Sequence, residues 1–98
     1  MVELGGNFTE NDYKIMKAIL DKNDKQKGLR RNKATTIEEI QGKTNLSSTK
    51  IRNILNSFIQ HGFVCEGIKQ GRTKTYMMTE EGLIELNSLR MNIFGKVE

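Results

Sequence analysis

Proline and tryptophan are absent from the 98 residues, and cysteine and histidine occur once each. The lone thiol, Cys65, excludes an internal disulfide framework and fits a reducing, cytoplasmic setting. It alternates with Phe63 on a short β-prone run and reads as a small buried hydrophobe. His61 has no partner cluster of acids or thiols, so no metal site is expected. No Ser-His-Asp set and no phosphate-cradling glycine loop is present. The chain therefore reads as a non-enzyme with no cofactor. No apolar run approaches the ~20 residues that span a bilayer. Residues 1–9 lack a basic, apolar signal pattern, so no membrane role is expected.

What is present fits one small globular domain, with 36% hydrophobic and 29% charged residues. A core of this size is modest, and a homodimer is expected on that ground. The net charge of +4 is unevenly distributed. Residues 25–74 hold 11 Lys/Arg against 3 Glu, a net of +8, while residues 1–24 and 75–98 each carry −2. Positive charge confined to the middle of the chain points to a polyanionic partner.

Residues 1–7 read as a loose terminus. Thr9 is a good helix cap, with Phe8 placed to pack onto Tyr13, and a first helix runs to about Asp21 with Ile15, Met16, Ile19 and Leu20 in one stripe. Residues 22–33 contain six basic residues and almost nothing apolar, and read as a basic loop or frayed linker. Thr36 and Glu39 form a capping box for a helix over Ile37 to about Lys43. A tight turn at Thr44-Asn45-Leu46 leads to Ser47, which caps a helix over Ser48–His61 that Gly62 stops. Two helices so joined make a helix-turn-helix at 36–62. Phe63–Lys69 and Thr73–Met78 are β-prone and flank Gln70-Gly71, giving a hairpin wing at 63–79. Thr79 then caps a helix over 80–94. The fold class is mainly α with a small β-hairpin, a winged helix-turn-helix.

The helix over Ser48–His61 has two faces. Ile51, Ile54, Leu55, Phe58 and Ile59 fall in one arc and belong to the core. The opposite arc holds Thr49, Asn53, Asn56 and Gln60, flanked by Arg52 on one side and Ser57 and Lys50 on the other. Solvated helix faces are usually built from Glu–Lys pairs, yet no acid occurs from Ser47 to Gln60. Amides pair with adenine edges and guanidinium with guanine, so this face suits the major groove of duplex DNA. Thr49 and Asn53 are the expected base-edge contacts, and Lys50 and Arg52 the phosphate or groove contacts. On the wing, Lys69, Arg72 and Lys74 surround Gly71 with no acid from Ile68 to Met78. Arg72 is the residue expected in the minor groove. The loop cations at 22–33 read equally as phosphate contacts or as solvated charge.

Residues 36–90 resemble the winged helix-turn-helix superfamily, including MarR-like and PadR-like repressors. The matching pieces are Thr36-Ile37-Glu38-Glu39-Ile40, Leu46-Ser47-Ser48-Thr49-Lys50-Ile51, His61-Gly62-Phe63-Val64, Gly71-Arg72-Thr73-Lys74-Thr75-Tyr76 and Thr79-Glu80-Glu81-Gly82. Within it, the Ser-rich cap, Asn56-Ser57-Phe58 and the Gly71-Arg72-Thr73-Lys74 wing followed by Tyr76 are most similar to the TubR family, the centromere-binding adaptors of tubulin-like (type III) plasmid partition systems. That resemblance implies a homodimer on repeated DNA sites, repression of its own operon, and a complex offered to a tubulin-like GTPase filament. It further implies that only the N-terminal end of the recognition helix enters the groove, which gives Ser47, Ser48, Thr49, Lys50 and Arg52 more weight than Gln60. The basic loop departs from the family pattern. Two other readings stay open: an ordinary MarR/PadR-like transcriptional repressor, and a winged-helix protein-docking module.

Overall fold

Five side-chain caps or left-handed stops set where the helices begin and end. The computed structural model describes residues 10–94, with side chains described through residue 90. Among the described residues the helices are α1 (Glu10–Ala18), α2 (Ile37–Thr44), α3 (Ser48–Gln60) and α4 (Glu80–Phe94). A three-stranded antiparallel sheet contains β1 (Thr35–Thr36), β2 (Val64–Glu66) and β3 (Thr75–Met78), in the order β1-β3-β2. This is the mainly α winged helix-turn-helix that the sequence predicts. The expected Thr9 cap, the Phe8 contact and the reading of residues 1–7 fall outside the described residues.

The capping box opens α2. The Thr36 hydroxyl accepts from the Glu39 N–H at 3.2 Å, and the Glu39 carboxylate accepts from the Thr36 N–H at 2.9 Å. Asn45 ends α2 in the left-handed region, at φ 64°. Ser47 then accepts from the Lys50 N–H at 3.1 Å and opens α3. Gly62, at φ 78°, turns the chain into β2. The Thr79 hydroxyl accepts from the Gly82 N–H at 3.0 Å and opens α4. These bonds satisfy backbone donors that a helix end leaves free.

Ile15, Met16 and Ile19 from the first helical segment meet Ile40, Ile51, Leu55, Phe58, Val64, Tyr76, Met78 and Leu89 in one core. α1 packs on both α2 and α4. Part of the apolar content of α4 is thus satisfied within the chain, although Ile84 remains 64% exposed.

Several expectations need correction. α1 ends at Ala18 rather than near Asp21. Lys43 takes over there, donating its ammonium to the carbonyls of Ala18 and Leu20 at 3.2 and 2.8 Å. The strands are shorter than the β-prone runs, and β1 was not foreseen. Cys65 is exposed, not buried. Val64 pairs with Met78 and points inward, so strand alternation sends its neighbour Cys65 to the other face.

The largest correction concerns residues 22–33, which are not a frayed linker. Asp21 and Asp24 accept from the Asn23 and Gln26 N–H groups at 2.9 and 3.0 Å, forming two successive turns. A short 3-10 turn follows at Arg31–Lys33. The segment then bonds to the sheet: the Met78 N–H donates to the Gly28 carbonyl at 2.7 Å, and the Ile68 N–H to the Arg31 carbonyl at 2.9 Å.

Two glycines in helices give opposite expectations. A Cβ at Gly42 meets nothing within 4 Å, so Gly42→Ala should stabilise the domain by about 0.5–1 kcal/mol through helix propensity. A Cβ at Gly82 would lie 2.0 Å from the Phe63 carbonyl oxygen. Backbone must then move, at a typical overpacking cost of about 1–3 kcal/mol, which exceeds the propensity gain. Urea denaturation of both variants checks the pair. A stabilised Gly82→Ala would mean that α4 does not start against Phe63.

Candidate nucleic-acid interface

The interface is assembled on α3 and the β2–β3 hairpin, which Gly62 joins directly. On α3, Ile51, Leu55 and Phe58 are buried, while Ile54 and Ile59 are half-buried. This fixes the rotation of the helix. Thr49, Lys50, Arg52, Asn53, Asn56, Ser57 and Gln60 are all exposed on the remaining surface. Ser47 is exposed, with its hydroxyl engaged in the cap; Ser48 is half-buried. Among the described residues, Lys50 and Arg52 have no acidic partner within ion-pair distance. The face therefore presents amides, hydroxyls and two cations with no carboxylate, a set able to donate to phosphate oxygens and pair with base edges.

The hairpin tip is the four-residue turn Gln70-Gly71-Arg72-Thr73. Gln70 and Thr73 exchange backbone hydrogen bonds of 2.9 and 3.0 Å. Gly71 has φ 64° and Arg72 does not have a positive φ, which is the type II′ geometry that fits twisted strands. Arg72 thus stands at the apex, exposed and, among the described residues, without an acid within ion-pair distance. Lys69 is also exposed, and among the described residues it has no acid within ion-pair distance. Lys74 differs, since its ammonium lies 3.6 Å from the Glu66 carboxylate. Glu66 stands just outside the acid-free stretch from Ile68 to Met78, so the sequence gives no sign of the pair. Both side chains are about half exposed, so the bond is weak and open to exchange for another anion.

Two carboxylates are committed to lysines of the basic segment itself, Glu39 to Lys27 and Asp24 to Lys33. Burial disfavours the charge on Glu39, but the Thr36 N–H and the Lys27 ammonium at 3.0 Å outweigh it and hold the carboxyl below its usual range. A hydrogen bond from Lys33, at 2.9 Å, and one from the Gln26 N–H hold Asp24 low as well. Burial pushes Glu85 up, against the opposing charge that His61 can carry. The Nδ1 of His61 lies 2.9 Å from the Ser57 carbonyl oxygen, to which it donates when that nitrogen carries the proton, and the ring stacks on Phe63. Among the described residues no group of three His, Cys, Asp or Glu side chains could hold a metal, and no helix is long and apolar enough to cross a membrane.

No protein-family model matches the chain. The DNA-binding protein TubR of Clostridium botulinum C phage is 31% identical over 80 residues, spanning 82% of this chain and 94% of that protein. A solved type III plasmid segregation TubR superposes with a TM-score of 0.64 at 19% identity, covering 97% of this chain and 84% of that one. The solution structure of the DNA-binding TubR fragment from Clostridium botulinum gives 0.60 at 24% identity, covering 84% and 96%. BpsR of Bordetella bronchiseptica, a protein whose DNA binding is regulated by 6-hydroxynicotinic acid, gives 0.61 at 11% identity, covering 94% of this chain and 64% of that one. These three likenesses establish the fold, and the identity to the phage protein over nearly its whole length establishes the kinship: the chain belongs to the TubR family.

Proposed function

We propose that the protein is a DNA-binding adaptor of plasmid segregation that acts in the cytoplasm as a homodimer without catalytic activity. The observation that carries this reading is the acid-free, exposed face of α3 next to a hairpin whose apex is Arg72. In this reading the N-terminal end of α3 enters the major groove. Ser47 and Ser48 lie at the groove edge, Thr49 and Asn53 meet base edges, and Lys50 and Arg52 meet phosphates or the groove wall. Lys69, Arg72 and Lys74 follow the backbone, with Arg72 in the minor groove. The helix-turn-helix at 36–62, the wing at 63–79 and the helix over 80–94 form one domain. Two copies bind repeated sites, repress the operon that encodes them, and present the assembled complex to a tubulin-like GTPase filament. Family membership supports these finer roles, and the exposed Ile84 of α4 offers apolar surface for the second copy.

The test is selection of genomic fragments by the purified protein at ~150 mM salt, where exposed charges are screened beyond about 8 Å. Enrichment of clustered repeats is the expected result. A single palindrome would instead make the protein an ordinary repressor. No enrichment, with retention lost at that salt, would leave the docking-module reading. On the selected fragment, Arg72→Ala should weaken binding and flatten the log–log salt dependence by about one unit. Its melting temperature should stay that of the wild type, because the side chain is exposed. Unchanged affinity would remove the wing from the interface.

A further inference from the structure

We infer that the segment between α1 and β1 is a second, pre-formed phosphate contact for duplex DNA, with Arg30 and Arg31 set beside the root of the wing. The inference rests on the DNA-binding reading above and extends it to a segment outside the helix-turn-helix and the hairpin.

The first support is how the segment's charges are used. Its six basic residues fall into two groups. Lys27 bonds to Glu39 and to the Ala34 carbonyl, and Lys33 bonds to Asp24. Those two hold the fold together. Lys22, Lys25, Arg30 and Arg31 are exposed, and among the described residues none has an acidic partner. The segment's own acid, Asp24, is taken by Lys33, and Asp21 caps a turn. The segment's unpaired charge is therefore predominantly positive, four cations against Asp21.

The second support is placement. Had the segment been a mobile linker, a contact would require ordering of many residues, at about 1–2 kcal/mol of backbone entropy each. It is instead tied to β3 at Gly28 and to the chain just after β2 at Arg31, by 2.7 and 2.9 Å hydrogen bonds from Met78 and Ile68. The fit is close: a Cβ on Gly67 would lie 2.5 Å from the Ala34 Cβ and 2.8 Å from the Arg31 carbonyl oxygen. Ile68 precedes Lys69, so the bond from the Ile68 N–H to the Arg31 carbonyl sets the backbone of the Arg30-Arg31 pair beside the chain that enters the wing at Lys69. The result is a cationic ridge drawn from two distant parts of the chain. Guanidinium groups on such a ridge bind phosphate oxygens without reading bases.

The experiment compares full-length wild type with Arg30→Gln/Arg31→Gln on the selected fragment and on an unrelated duplex of equal length, across a fourfold range of salt. Each lost phosphate contact should reduce the log–log slope by about one unit, so the same rise in salt costs about fourfold less affinity per contact. Both duplexes should lose affinity by the same factor, and the melting temperature should not change. If slope and affinity match the wild type while Arg72→Ala still weakens binding, the ridge is wrong and the DNA-binding reading stands. A loss confined to the selected fragment would make the pair a base reader and overturn the phosphate role. If wild type retains neither duplex at low salt, the ridge falls together with the reading it rests on.

Discussion

Phe58→Ala is expected to destabilise the domain by about 3–5 kcal/mol, the usual cost of emptying a buried aromatic site. Phe58 is 1% exposed and is the largest fully buried side chain among the described residues. Domains of this size hold only about 5–15 kcal/mol in total, and 1 kcal/mol moves the melting temperature by about 4–8 °C. The midpoint should therefore drop by at least about 12 °C. Asn56→Ala, two residues away on the exposed side, should stay within about 0.5 kcal/mol of wild type. The contrast matters for function as much as for stability. Phe58, with Ile51 and Leu55, sets the rotation of α3, and that rotation turns Thr49, Asn53 and Asn56 outward. A loss below about 1 kcal/mol for Phe58→Ala would mean that α3 is rotated from its described setting, and the whole polar face would have to be reassigned.

The faces of α3 were legible in the sequence because a helix buries residues at a fixed period, and one with no acid anywhere leaves little ambiguity about its polar side. The caps were legible for a related reason. Thr36 with Glu39, Ser47, and Thr79 satisfy backbone donors three residues ahead, so the whole signal is local. Cys65 was misread because β2 has only three residues, too few for alternation to fix its register. Long-range pairing decides it, through Val64 with Met78.

The segment at 22–33 was illegible for the same physical reason on a larger scale. Its order comes from backbone groups of Gly28 and Arg31 bonding to Met78 and Ile68. Composition does not encode such bonds, so a polar stretch looked frayed. A local signal did exist. Asp21 and Asp24 each stand two residues before the N–H they bind, the pattern of side-chain-closed turns. The pairing of Lys74 with Glu66 is a further cross-strand matter, invisible until the hairpin register is known.

Gly28→Ala is expected to detach this segment, with a loss of about 3 kcal/mol or more. Gly28 adopts φ +80°, a left-handed setting that costs an L-residue about 1–2 kcal/mol. Strain is the smaller part. An added Cβ would lie 2.2 Å from the Ile19 carbonyl oxygen and 2.9 Å from its carbon. Both are backbone atoms at the end of the first helical segment, so relief requires Gly28 to withdraw. Withdrawal breaks the 2.7 Å bonds that Gly28 makes with Lys33 and Met78. A buried donor or acceptor left without a partner costs about 1–3 kcal/mol. The variant should therefore show a lowered urea midpoint together with faster hydrogen exchange at the Met78 amide. Exchange separates this from general loosening, since the amides of α3 should keep their relative protection. It also bears on the ridge: once the anchor at Gly28 is lost, Arg30 and Arg31 no longer have a fixed place beside Lys69. Under conditions where the variant remains folded, its salt slope on DNA should approach that of Arg30→Gln/Arg31→Gln. An unchanged midpoint with unchanged Met78 exchange would show that the segment does not rest on β3.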